Sequence, residues 1–207
     1  LCTYCDFDKF TGLEKLIDSY IEAVIRQIAM SPYARQTSFY VGGGTPSIMT
    51  PGHAAALTQS CSERFGIQPG AEATIEANPT DMDQARMIGF RRAGFNRLSV
   101  GVQSLDARLL RLLGRRHSLE DAESGIQRAR AAGFDNISVD LIYGVPMQSL
   151  DSWRATLETV VEWGVEHLSL YMLTIEPGTP LERGVLKGTI RTLADEEVVA
   201  MYEVADE

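Results

Sequence analysis

Short runs of apolar, β-branched and aromatic residues alternate along the whole chain with longer stretches of helical periodicity, and no other property constrains the fold as strongly. Strands are expected at 38–41, 73–77, 97–102, 137–142 and 167–173. Helices are expected at 13–30, 53–65, 82–93, 107–113, 119–132, 150–163 and 193–206. Gly94, Gly133 and Gly164 each stand between a helical pattern and the next strand, where a left-handed turn suits glycine. Strands joined by helices in this way build a parallel α/β sheet with right-handed crossovers. The sheet could be doubly wound or curled into a barrel, and periodicity does not choose between them.

The chain has 207 residues, 44% of them hydrophobic and 23% charged, enough apolar material for a sizeable core. A formal net charge of -9 disfavours nonspecific nucleic-acid binding, which needs clustered Lys and Arg. The sequence contains neither a signal-like leader nor an apolar run of roughly 18 residues, so no membrane span is expected. Three cysteines make a poor disulfide framework and suit a reducing, cytoplasmic setting.

The apolar strands run out into conspicuous polar groups: Glu76 with Asn78, Gln103, Asp140 with Tyr143, and Thr174 with Glu176. In parallel α/β folds the carboxyl ends of the strands carry the active site. Capping of helices and closing of turns is the plainer alternative for each of these groups taken alone. The first strand runs instead into Gly42, Gly43 and Gly44, followed by Thr45 and Pro46. Glycines there allow close backbone approach, but the run lacks the Lys of a P-loop and the GxGxxG spacing of a dinucleotide fold.

Cys2 and Cys5 stand in a CxxC, a spacing that lets two thiolates grip one metal or one face of a cluster. Zinc ribbons use the same spacing but need a further pair of ligands. Cys61 lies in a helical stretch and reads as a small core residue. Trp153 and Trp163 read as packing residues, and Asp195 to Glu197 as a solvated helix start. His53, His117 and His167 sit in no recognisable heme motif and none is nominated as an axial ligand.

These segments resemble the radical S-adenosylmethionine (SAM) family. Leu1 to Phe7 is similar to the last part of its CxxxCxxC motif, with the first cysteine upstream of Leu1. The order of the glycine run, Glu76 to Pro79, Ser99 to Ser104, Leu113 to His117, Val139 to Pro146 and Leu173 to Pro180 resembles oxygen-independent coproporphyrinogen III oxidases and their relatives. The resemblance implies an incomplete TIM-like (β/α)6 barrel over 1–207, truncated at both ends, with a C-terminal domain beyond it. It implies a [4Fe–4S] cluster on Cys2, Cys5 and a third cysteine, and SAM bound at the open iron and cleaved reductively to a 5'-deoxyadenosyl radical. By the same resemblance Tyr4 packs against SAM, and Gly42, Gly43, Gly44 and Thr45 cradle its methionine amino group. Glu76 then accepts from the ribose hydroxyls, and Gln103, Arg115 and Asp140 match residues around a second SAM. Thr174 approaches the cofactor from the last strand. For Arg115 a solvated basic helix end beside Arg116 stays open.

Oxidases of this kind carry a further cysteine where this chain has Phe7. That departure resembles the heme-chaperone branch, whose members bind heme and hand it to acceptor proteins. The expected function is a cluster- and SAM-binding heme chaperone, with heme and acceptor proteins as partners. The alternative is oxidative decarboxylation of coproporphyrinogen III to protoporphyrinogen IX, and a zinc-stabilised α/β protein without radical chemistry is the third reading.

Overall fold

The computed structural model describes residues 2–7, 12–68 and 70–206. Its strands are β1 (Ser38–Val41), β2 (Glu72–Ala77), β3 (Arg97–Gln103), β4 (Ile137–Tyr143) and β5 (His167–Met172). They form one sheet in the order β1-β2-β3-β4-β5, with β1 and β2, β2 and β3, and β4 and β5 parallel. That order settles what periodicity left open. A doubly wound sheet reverses its strand order at a switch point, whereas a barrel keeps chain order. The helices are α1 (Ile17–Met30), α2 (Pro51–Phe65), α3 (Gln84–Arg92), α4 (Ala107–Leu112), α5 (Leu119–Ala131), α6 (Leu150–Glu162), α7 (Pro180–Leu186) and α8 (Asp195–Asp206). The architecture is a parallel sheet surrounded by helices, an incomplete (β/α) barrel.

Two compact units divide the chain. The first comprises Lys9–Val100 and Gly125–Ile137. Here Tyr40 pairs with Thr74, Ile75 with Leu98, and Glu76 with Ser99. Because side chains alternate along a strand, Ala73, Ile75, Ala77, Leu98 and Val100 fall on one face and are buried. Thr74, Glu76 and Ser99 share the other face, so the polar groups stand in a row. Phe95 seals the apolar face, with its ring 5.7 Å from Phe39 and 6.3 Å from Phe90. Each such phenylalanine contributes about 1.5–3 kcal/mol by leaving water.

The second unit comprises Leu1–Asp8, Gly101–Ser124 and Ser138–Glu207. In it Asp140 pairs with Ser169, and the hydroxyls of Ser138 and Ser169 lie 3.3 Å apart on the same polar side. Val139 and Leu141 point the opposite way and are fully buried. Trp153 on α6 has no exposed surface, and its Nε1 donates to the Met201 carbonyl of α8 at 2.8 Å. Trp153 is thus a packing residue, as expected. Its ring also lies 5.7 Å from that of Tyr143.

Several boundaries differ from expectation, each for a local reason. The helix expected from 82 starts at Gln84, because Asp83 caps α3 by accepting from the Arg86 N–H, and a 3-10 turn, Pro79–Asp81, precedes it. Likewise Glu14–Leu16 is a 3-10 turn before α1. In α2 the helix starts at Pro51, because Thr50 accepts from the His53 N–H while His53 Nδ1 accepts from the Thr50 N–H. That reciprocal pair is a capping box with histidine in the place usually held by Glu or Gln. Helix α7 was not expected at all, although Thr179 caps it, Pro180 follows at its first position and Glu182 accepts from the Gly178 N–H. The glycine stops hold: Gly94, Gly133 and Gly164 have φ of +103°, +92° and +63°.

Candidate functional site

In the first unit, β1 ends at Val41 and the glycine run turns the chain into a 3-10 turn, Pro46–Ile48. The three glycines answer to different constraints. A Cβ on Gly42 would lie 2.6 Å from Tyr40 Cε1 and 2.8 Å from Glu76 Oε1, so a side chain there would displace one or both of them. Gly43 has φ +120°, a backbone conformation that favours glycine, but open space around it. A Cβ on Gly44 would meet nothing within 4 Å. The Thr45 hydroxyl donates to the Gly44 carbonyl.

Glu76, half-buried at the end of β2, receives donors on both oxygens. The Gly43 N–H donates to Oε2 at 3.0 Å and the Tyr40 hydroxyl donates to Oε1 at 2.7 Å. An ionised carboxylate offers about four acceptor positions, so each oxygen keeps capacity for another donor. Beneath this corner the buried Ser47 hydroxyl donates to Asp81 Oδ2 at 2.7 Å and accepts from the Asn78 N–H at 3.1 Å. Ser47 thereby ties the exit of the glycine run to the exit of β2. A cleft of about 380 Å3 between α1 and β1 is walled by Ile17, Ile21, Val24 and Phe39 and reaches Gly42 and Thr45.

In the second unit the CxxC is anchored through the residues between its cysteines. The Thr3 N–H donates to the Leu113 carbonyl at 3.2 Å, the Thr3 hydroxyl to the Leu112 carbonyl at 2.5 Å, and the Leu181 N–H to the Thr3 carbonyl at 3.0 Å. Tyr4 packs on the apolar cluster of Leu109, Leu113, Ile142 and Val145. Burial first, then the neighbouring Cys2, push its phenol up to about 12, so Tyr4 is a protonated, largely apolar surface. Cys2 and Cys5 are half-buried and neither is in a disulfide.

Arg115 is not the solvated helix end that the sequence left open. It is half-buried, with Nη2 donating to the Gly101 carbonyl at 2.7 Å and Nη1 standing 3.5 Å from Cys2 Sγ. His117 takes the next carbonyl along, its Nε2 donating to Val102 O at 2.8 Å. Burial and the Arg115 charge hold its imidazole below the usual histidine range. Gln103 follows directly with φ +67°, rare for a residue with a side chain. Asp140 is half-buried within β4, and Thr174 is exposed just beyond β5.

The structure therefore brings Gly42, Gly43 and Glu76 together in one unit, and Cys2, Tyr4 and Arg115 in the other. It leaves Gly44 and Thr174 outside any such contact. Sequence reasoning missed Tyr40, Ser47, Thr3 and the backbone role of His117. For Tyr40 the signal was available in principle, because Tyr40 and Glu76 end adjacent strands, but only the register puts them on one diagonal.

Two thiolates fit two iron positions of a [4Fe–4S] cluster. Among the described residues no group of three His, Cys, Asp or Glu is gathered to hold a metal ion. Cys61 is buried in α2, where desolvation raises its thiol, the behaviour of an inert core residue. His53 donates from Nε2 to Asp18 at 2.9 Å and is committed to that pair and its cap. Among the described residues no helix is long and apolar enough to cross a membrane.

Residues 1–160 match the model of the Radical SAM superfamily, and the chain belongs to that superfamily. It is 37% identical over 208 residues to the zebrafish (Danio rerio) radical S-adenosyl methionine domain-containing protein 1, mitochondrial, covering 99% of this chain and 47% of that protein. It is 32% identical to the heme chaperone HemW of Lactococcus lactis, over 98% of this chain and 54% of that one. Among solved structures, the coproporphyrinogen III oxidase HemN of Escherichia coli, a radical SAM enzyme, superposes with a TM-score of 0.83 at 26% identity, over 98% of this chain and 48% of that chain. The chain spans about half the length of the curated relatives it matches. It is a radical SAM protein related to the HemW and HemN proteins of heme and porphyrin metabolism.

Proposed function

We propose that this chain is the SAM- and cluster-binding barrel of a radical SAM enzyme of porphyrin metabolism, acting on coproporphyrinogen III. In this reading Cys2 and Cys5 supply two of three thiolates to a [4Fe–4S] cluster, and Tyr4 offers an apolar wall beside SAM. Gly42, Gly43, Gly44 and Thr45 receive the methionyl amino group, and Glu76 receives the ribose hydroxyls. Gln103, Arg115, Asp140 and Thr174 line the remaining cofactor space. A bound cluster on these thiolates would supply the electron for reductive cleavage of SAM, and the resulting 5'-deoxyadenosyl radical would supply hydrogen-atom abstraction from a propionate side chain.

What carries the reading is the Glu76 corner. A carboxylate held at both oxygens by Gly43 and Tyr40, with capacity left over, is prepared for a vicinal diol before any ligand arrives. The likeness to a solved coproporphyrinogen III oxidase, over nearly the whole chain, supports the enzymatic destination over the carrier that Phe7 suggested. The second reading, a heme chaperone, draws on the relatives named HemW.

One assay separates them. Full-length protein, reconstituted anaerobically, receives coproporphyrinogen III, SAM and a reductant. Formation of protoporphyrinogen IX is expected; tight heme binding with SAM cleavage but no porphyrinogen turnover moves the assignment to the carrier.

A further inference from the structure

We propose that Tyr40 is a positioning residue for SAM, acting through Glu76: its hydroxyl fixes the rotation of the carboxylate that receives the ribose. This rests on the reading of Glu76 given above and deepens it. Tyr40 pairs with Thr74 in the β1/β2 ladder, and Glu76 lies two residues further along β2 on the same face. That diagonal is within reach of a tyrosine ring, and the 2.7 Å bond from the hydroxyl to Oε1 closes it.

A glutamate at a strand end has a soft terminal torsion, broad and two-fold, so one donor does not fix its plane. Gly43 N–H alone, at 3.0 Å from Oε2, would leave Oε1 free to swing. The second donor from Tyr40 pins both oxygens. A ribose diol presents two hydroxyls at a fixed spacing, and an acceptor pair already in plane receives them without paying for alignment.

Gly42 belongs to the same device. The space a Cβ would take at Gly42 is filled by the Tyr40 ring edge and the Glu76 carboxylate, at 2.6 and 2.8 Å. The first glycine of the run thus leaves room for the tyrosine–glutamate pair as it stands, and the second suits its own φ of +120°. Tyr40 is itself well exposed, at 55%, so removing its hydroxyl leaves no buried polar atom behind and the fold should tolerate phenylalanine.

The test uses the reconstituted full-length protein and two probes, S-adenosylhomocysteine and its analogue lacking the 2'- and 3'-hydroxyls, with binding measured calorimetrically and Tm recorded alongside. Tyr40→Phe is expected to weaken S-adenosylhomocysteine about five- to tenfold, to leave the dideoxy analogue within about twofold, and to leave Tm unchanged. Glu76→Gln should weaken the first probe by more and abolish any further effect of Tyr40→Phe in the double variant. Unchanged or tighter binding of S-adenosylhomocysteine to Tyr40→Phe, or equal loss for both probes, overturns the positioning role while Glu76→Gln still discriminates. Should Glu76→Gln fail to discriminate between the probes, the ribose assignment itself falls and the inference with it.

Discussion

The glycine corner and the cysteine loop prepare a site in opposite ways. At the end of β1 and β2 the groups are held by each other: Tyr40 and Gly43 donate to Glu76, and Ser47 joins the two loop exits. In the CxxC the backbone and hydroxyl of the intervening Thr3 bond to Leu112, Leu113 and Leu181, and Cys2 itself is met by Arg115. The first arrangement is finished by folding. The second sets the loop, and under the proposed reading the thiol geometry is completed by the cluster, the usual coupling of thiolate ligands to their metal. Arg115, 3.5 Å from Cys2 Sγ and bonded to Gly101, is the side-chain link between that loop and the end of β3.

The contrast predicts where single changes act. Cys5→Ser should have the largest effect: cluster content after reconstitution, read from iron, sulfide and the charge-transfer absorption, is expected to fall about tenfold or more, with little change in chain stability before loading. A comparable loss of stability in the unloaded chain would break the claim that the thiols wait for metal. Next, Gly42→Ala and Gly44→Ala should separate sharply. The first forces Tyr40 and Glu76 aside and is expected to cost about 1–3 kcal/mol in denaturant unfolding. The second meets open space and should stay within about 0.5 kcal/mol. Equal costs would mean that space is not what demands the first glycine.

The smallest effect concerns the other unit. His117, neutral and donating to Val102 O, has its affinity for protons depressed below the ordinary value of 6.5. The unfolded chain therefore takes up the proton first as pH falls. Its stabilising contribution is complete above about pH 6.5 and declines as pH drops below that value. His117→Gln keeps an N–H donor without a titrating ring, so its stability profile from about pH 7 to 5 should be flatter than that of the parent chain. A parallel profile would show that His117 does not titrate in this window.

Much of the fold was legible because it rests on local periodicity. All five strands fall where the alternation placed them, within a residue or so at their ends, and the glycine stops after α3, α5 and α6 have the left-handed backbone expected of them. Strand order was not legible, since it depends on which strands pair, and pairing is a long-range property. Helix α7 was hidden by its length, seven residues with only Leu181 buried, although Thr179 and Pro180 carried its start signal. At the site, residue types at strand ends announced themselves: Glu76, Gln103 and Thr174 stand at or near the ends of β2, β3 and β5, whereas Asp140, expected at a strand end, sits in the middle of β4. What the sequence could not show was partnership. Tyr40 read as one more strand aromatic, and Arg115 stood open between a cofactor residue and a solvated helix end, until register and loop path set each against its acceptor.

The most direct test of the central claim is the fate of SAM. Full-length protein carrying a reconstituted cluster is reduced anaerobically with SAM present, and 5'-deoxyadenosine and methionine are quantified. Equimolar release of both, abolished by Cys2→Ser, is the predicted result; intact SAM in the presence of a fully reduced cluster would contradict the account.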